Sequence, residues 1–146
     1  VYDKAKKTQG ELSITLSSFK TIKGKINGKR EDIIALHLLI HNNSDSNEYY
    51  IEPNKGFIIN KDNKRINASL INSDHIDGAI KPKDIKEMVV VFPLTNEVFG
   101  NQKSFKYTID AAKDKNMNKL GEEFEFNIEI ALPIEIDSKG NLKTQL

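Results

Sequence analysis

Apolar and polar residues alternate along much of this chain with a period of two. From Glu11 to Phe19, Leu12, Ile14 and Leu16 fall on one side and Ser13, Thr15 and Ser17 on the other, as in a half-buried strand. Phe105, Tyr107, Ile109 and Ala111 alternate with Lys106, Thr108 and Asp110; Phe124, Phe126, Ile128 and Ile130 alternate with Glu123, Glu125, Asn127 and Glu129. These are the two clearest strands. The stretch from Met88 to Phe92 is apolar throughout and closed by Pro93, which suits a strand buried on both faces. Tyr50 and Ile51 suit a short strand ended by Pro53, and residues 55–70 read as strand, tight turn and strand with Asp62 and Asn63 at the tip. Residues 20–30 read as a long hairpin-like connection with Asn27-Gly28 as its turn, and 71–83 as a loop. Residues 96–102 and 111–120 could each hold a helical turn, without an amphipathic stripe. The polar residues 1–10 read as a linker and 134–146 as an edge strand or tail.

Residues 33–41, IIALHLLIH, are ambiguous by periodicity alone. On a helix, His37 and His41 would share a face and could share a metal ion. On a strand, Ile34, Leu36, Leu38 and Ile40 take one face and Ile33, Ala35, His37, Leu39 and His41 the other. Every other clear element is a strand, so a strand is expected here too. The two imidazoles then stand about 13 Å apart at roughly 3.3 Å per residue, too far to ligate one ion. Even a helix would lack the glutamate that follows the first histidine of a metalloprotease helix.

About seven to nine short strands separated by turn signals predict an all-β, antiparallel β-sandwich. With 146 residues the chain has room for one domain with a real core, expected at residues 11–133. The core should include Leu36, Leu38, Val90, Phe92, Phe105, Tyr107, Ile109, Phe124 and Phe126. No apolar run approaches the roughly 18 residues of a spanning helix. Lysine and arginine total 22 against 21 acidic residues, and only Arg30 and Arg65 are arginines. That shortage argues against a nucleic-acid partner, because phosphate and base readers favour the guanidinium fork. The basic run of Lys20, Lys23, Lys25, Lys29 and Arg30 is followed at once by Glu31 and Asp32 and reads as a solvated loop. There is no cysteine, which excludes disulfides, thiol catalysis and Cys-ligated metals.

Candidate chemistry is sparse. Residues 72–78, NSDHIDG, resemble a calcium loop, but Lys83 stands where an EF-hand needs its bidentate glutamate. His75, Asp74 and Asp77 remain as candidates for a weaker loop metal or small-ligand site. Glu123, Glu125 and Glu129 belong to the polar face of a strand and read as a water-facing surface rather than a glycosidase pair. Two acceptor patterns for glycosylation occur, at Asn42 and Asn67. No phosphate-binding loop, dinucleotide fingerprint or serine-nucleophile motif occurs, and no cofactor is expected.

In order, the apolar strand running into Asn42-Asn43-Ser44, then Pro53, then Phe57-Ile58-Ile59 with its turn, then Pro82 and the strand ending in Phe92-Pro93 resemble a known family. These are the immunoglobulin-like domains of unknown function found in secreted and lipid-anchored proteins of Gram-positive bacteria. The family is similar in fold to a secreted mycobacterial immunoprotective antigen. The chain departs from it where the family's usual Pro-Gly is Pro82-Lys83 and its usual Asp-Gly is Asp62-Asn63. The resemblance implies an immunoglobulin-like sandwich, an extracytoplasmic location and membrane association only through a lipid anchor upstream of Val1; the family carries no agreed activity. The expectation is therefore a non-enzymatic interaction module whose partner is a protein or a cell-envelope component. Binding would occur along a sheet edge, either at Tyr49, Tyr50 and Ile51 or along the strand near Phe124 to Ile130. The alternative is a small-ligand or metal-ion carrier using the loop residues Asp74, His75 and Asp77.

Overall fold

The computed structural model describes residues 5–26, 29–94 and 103–129. The turn expected at Asn27-Gly28, the helical turn at 96–102, Ile130 and the tail at 134–146 lie outside these residues, as do the side chains of Lys23, Lys25, Lys29 and Arg30. The protein is an all-β sandwich of two antiparallel four-stranded sheets. The first sheet holds β1 (Ala5–Gln9), β2 (Leu12–Ile26), β3 (Lys29–Asn42) and β6 (Ile85–Pro93), in that order. The second holds β5 (Arg65–Asn67), β4 (Phe57–Ile59), β7 (Ser104–Ile109) and β8 (Phe124–Glu129).

The period-two pattern explains the core. Ile34, Leu36, Leu38 and Ile40 of β3 are fully buried, flanked by Leu12, Ile14 and Leu16 on one side and Met88, Val90 and Phe92 on the other. Facing them are Ile58, Phe105, Tyr107, Ile109, Phe124, Phe126 and Ile128. Phe92 meets Tyr107 edge-on across the sheets at 5.6 Å between ring centres, and Tyr107 stacks on Phe126 at 6.1 Å. Phe19 is out of phase with Leu12, Ile14 and Leu16. A β-bulge at Ser17 corrects this: the register slips there, Phe19 pairs with Leu36 and packs on the core, and the Ser17 hydroxyl donates to the His37 carbonyl at 3.0 Å.

His37 and His41 are on a strand, both half-buried and outside the inner face. The helical alternative fails because Ile33, Ala35 and Val91 form a second small apolar cluster on the outer face, next to Val89. The apolar run of β6 thus has both of its faces occupied.

Three expectations are corrected. Residues 5–9 are not linker but strand β1, paired with β2 from Ala5↔Leu16 to Gln9↔Leu12; its polar side chains hid it, because an edge strand needs only backbone partners and one lightly covered face. Pro53 opens a single 3-10 turn, Pro53–Lys55, and Tyr50 and Ile51 form no strand: Tyr50, like Tyr49 before it, makes an isolated bridge and Ile51 lies beyond it. Residues 111–120 hold no helical turn: Lys113 bridges Lys119, and the loop between them is closed by Asp114.

Two turn residues sit where the backbone is left-handed. Asn63 and Lys83 each have φ of 64°, the conformation glycine adopts without cost. At Lys83 the Asp84 amide donates to the Lys81 carbonyl at 3.1 Å, closing the turn behind Pro82.

Candidate functional site

Tyr49, Tyr50 and Ile51 do not form a free edge. The Tyr49 amide donates to the Ile80 carbonyl at 3.2 Å and the Ile80 amide returns the bond at 2.7 Å; Tyr50 exchanges bonds with Lys113 at 2.8 and 2.9 Å. The backbone of Tyr49 is therefore occupied on one side and that of Tyr50 on the other, and Tyr49 and Ile51 are buried. The physical reason is that two segments far away in sequence close on this one, drawn in by the apolar side chains it contributes to the core.

The loop candidates separate as well. His75 Nε2 lies 3.2 Å from Asp77 Oδ1, both side chains well exposed. Asp74 is committed elsewhere. Its Oδ2 accepts the Val89 amide at 2.8 Å, while its own amide donates to the Val89 carbonyl at 2.9 Å. Ser73 Oγ accepts the Val91 amide at 2.8 Å, and the Ser69 amide donates to the Val91 carbonyl at 2.8 Å. Segment 69–74 thus closes the outer edge of β6 as a strand would, satisfying backbone groups that otherwise invite pairing with another chain. Among the described residues, no three His, Cys, Asp or Glu side chains gather where they could hold an ion.

What the structure does bring together is the surroundings of both candidates. Tyr50, Ile51 and Glu52 form one wall of a hollow of about 230 Å³, Ile76 and Gly78 a second, and Asp110, Ala111, Lys113 and Met117 a third. This is below the roughly 300 Å³ at which drug-sized ligand pockets begin, so it has room for about one side chain. Three connections that meet at one end of a rigid sandwich make this surface, the usual way in which loops acquire binding roles.

Met117 stands out on this wall. Its loop repeats a design used elsewhere in the chain. In residues 60–64, Asn60 Oδ1 accepts the amides of Asp62 and Lys64 at 2.8 and 3.0 Å, and Asn63 is left-handed. In residues 114–118, Asp114 Oδ1 accepts the amides of Asn116 and Asn118 at 2.9 and 3.0 Å, and Met117 occupies the left-handed place with φ of 63°. Asparagine tolerates that conformation; methionine does so at a cost. Met117 is also 56% exposed. Nothing in the composition of residues 111–120 marked it, because Tyr50 and Ile76, which line the same hollow, are distant in sequence.

A polar network buttresses the segment from behind. The Tyr49 hydroxyl donates to Glu11 Oε1 at 2.6 Å and the Asn47 side-chain amide to the same oxygen at 3.2 Å. These bonds hold the Glu11 carboxyl below the usual carboxylate range; the bond to Glu11, with burial, pushes the Tyr49 phenol up. Asn42 is fully buried. Its side-chain amide donates to the carbonyls of Asn47 and Ile80 at 2.7 and 3.0 Å, and its Oδ1 accepts the Ser44 amide at 2.9 Å. The glycosylation pattern at Asn42 is therefore a structural turn.

Of the other edges, β8 ends the second sheet among the described residues, with Glu125 and Glu129 exposed and Glu125 paired to Lys106 at 2.9 Å. No family model, curated protein or solved structure matches the chain.

Proposed function

We propose that this chain is a non-enzymatic, immunoglobulin-like interaction domain. It works outside the cytoplasm as part of a secreted or lipid-anchored protein and binds a protein or envelope component through the hollow beside Tyr50. The observation that carries the reading is Met117: an exposed apolar side chain held in a left-handed conformation, at the mouth of a concavity, where the same chain uses asparagine in the matching loop. Backbone strain combined with apolar exposure burdens the free protein, and such costs gather at functional surfaces. Methionine, flexible and polarisable, suits a contact surface.

The strand order supports the immunoglobulin-like part. Strands β2, β3 and β6 face β5, β4, β7 and β8, which corresponds to an A-B-E sheet opposite a sheet containing C, F and G. Segment 69–74 bonds to β6 where the fourth strand of the first sheet would lie. The polar side chains Asp74, Asn42, Asn60 and Asp114 are engaged in edge and turn hydrogen bonds, which supports a binding rather than a catalytic reading.

The test is a photo-crosslinking amino acid at Met117, with a control at Thr15 on the first sheet, in the source cells. An adduct of defined mass at position 117 alone, in the envelope or secreted fraction, is expected. Protein confined to the cytoplasm, or equal labelling at both positions, would overturn the proposal. A second reading, strand addition along β8, has in its favour that β8 ends its sheet among the described residues while β6 is closed by segment 69–74. The same crosslinker at Asn127 distinguishes it.

A further inference from the structure

The charges lining the hollow point to a ligand class. Glu52 is held by Lys55 at 2.9 Å, and Asp110 faces Lys119 at 3.9 Å while accepting the Ala111 amide. Lys113 lines the same hollow without a carboxylate within 4 Å among the described residues, and Tyr50 makes no side-chain hydrogen bond there. The Lys113 backbone is fixed on both sides by its bridges to Tyr50 and Lys119, so its side chain extends from an anchored point. Around it lie the apolar groups of Ile76, Ala111 and Met117.

We infer that the hollow takes an apolar group joined to a carboxylate, in the form of the C-terminal residue of a partner peptide with an aromatic or aliphatic side chain. The uncommitted ammonium supplies the charge complement, and a charge-assisted hydrogen bond to a carboxylate is among the stronger polar contacts available at a surface. Size selects the C-terminus. A hollow with room for about one side chain can receive both groups only if one residue carries them, and a terminal residue bears its carboxylate and its side chain on the same carbon. The inference rests on the reading of the hollow as the binding surface, and goes beyond it by naming what is bound.

The experiment uses the full chain labelled with carbon-13 at its methionine methyls. The protein has two methionines, and Met88, buried in the core, serves as internal reference for Met117. The ligands are N-acetyl-L-phenylalanine, its amide, N-acetylglycine, and N-acetyl-aspartyl-phenylalaninamide as an internal acidic sequence. N-acetyl-L-phenylalanine should move the Met117 signal and leave Met88 in place. The amide should bind about tenfold more weakly, as expected for loss of one charge-assisted contact, and neither N-acetylglycine nor the internal acid should match the parent ligand. Lys113→Gln should lower affinity for the acid to that for the amide, whereas Lys115→Gln should leave it unchanged. Met117→Asn, which matches the loop at 60–64, should weaken binding while the melting temperature holds or rises. Equal affinity for acid and amide, an unaffected Lys113→Gln, or no shift at the solubility limit of the acid would overturn the inference. A crosslink at position 117 in cells combined with failure of the acid would discard the ligand class and keep the surface; absence of both discards the surface.

Discussion

Asn42 allows the most searching test of how the fold is held at this end. Its side chain makes three hydrogen bonds with no exposure to water, two donated to carbonyls and one accepted from an amide. Asn42→Ala removes all three. At about 1 kcal/mol each, with an added penalty for buried groups left without a partner, the loss should be about 3 to 5 kcal/mol. Asn42→Asp keeps shape and the bond to Ser44 but turns an oxygen toward the carbonyls of Asn47 and Ile80. An ionised carboxyl there faces two acceptors, so its pKa in the folded protein is raised. Holding it protonated at pH 7, against an ordinary value near 3.9, costs about 4 kcal/mol at 1.36 kcal/mol per unit. Because the folded value lies above the unfolded one, the variant gains stability relative to wild type as pH falls from 7 toward 4 and loses it as pH rises. Urea unfolding of the three proteins at pH 7, 5.5 and 4, compared at equal pH, measures this. A loss below about 1 kcal/mol for Asn42→Ala, or an Asn42→Asp gap that does not shrink on acidification, would refute the reasoning.

Three further outcomes are expected. A β-carbon on Gly56 would lie 2.6 Å from the Thr108 carbonyl oxygen and 2.8 Å from a Tyr107 ring carbon, so Gly56→Ala should lower stability by about 1 to 3 kcal/mol in urea unfolding; a rise would show that β7 yields there. The Glu11 carboxyl, held low by Tyr49 and Asn47, contributes stability above its unfolded value of 4.5 that is lost as pH falls through its folded value. A melting-temperature profile from pH 6 to 3 should therefore be flatter for Glu11→Gln, and identical profiles would contradict the network. Ser73→Ala combined with Asp74→Ala strips the β6 edge of its two side-chain acceptors, and should produce concentration-dependent association in light scattering; a monomer of unchanged stability would mean that the segment is not protecting the edge.

The core of this protein was legible in its sequence. Alternation at Leu12, Ile14 and Leu16, at Phe105, Tyr107 and Ile109, and at Phe124, Phe126 and Ile128 specifies which face is buried, since successive strand residues point to opposite sides. Each of these residues is buried in the sandwich. The bulge at Ser17, which brings Phe19 back into phase, was passed over when residues 11–19 read as one alternating strand. The site was not legible in this way. Tyr49, Tyr50 and Ile51 read as an edge because their closing partners, Ile80 and Lys113, are distant along the chain. Asp74 and His75 read as one cluster, yet Asp74 belongs to β6 and His75 to Asp77. Ala5–Gln9 read as linker because its pairing with β2 uses backbone groups that every residue carries. Burial is written locally, in the identity of side chains at a fixed period; which edges close and which loops meet is set by backbone hydrogen bonds between remote segments, and only the folded chain decides them.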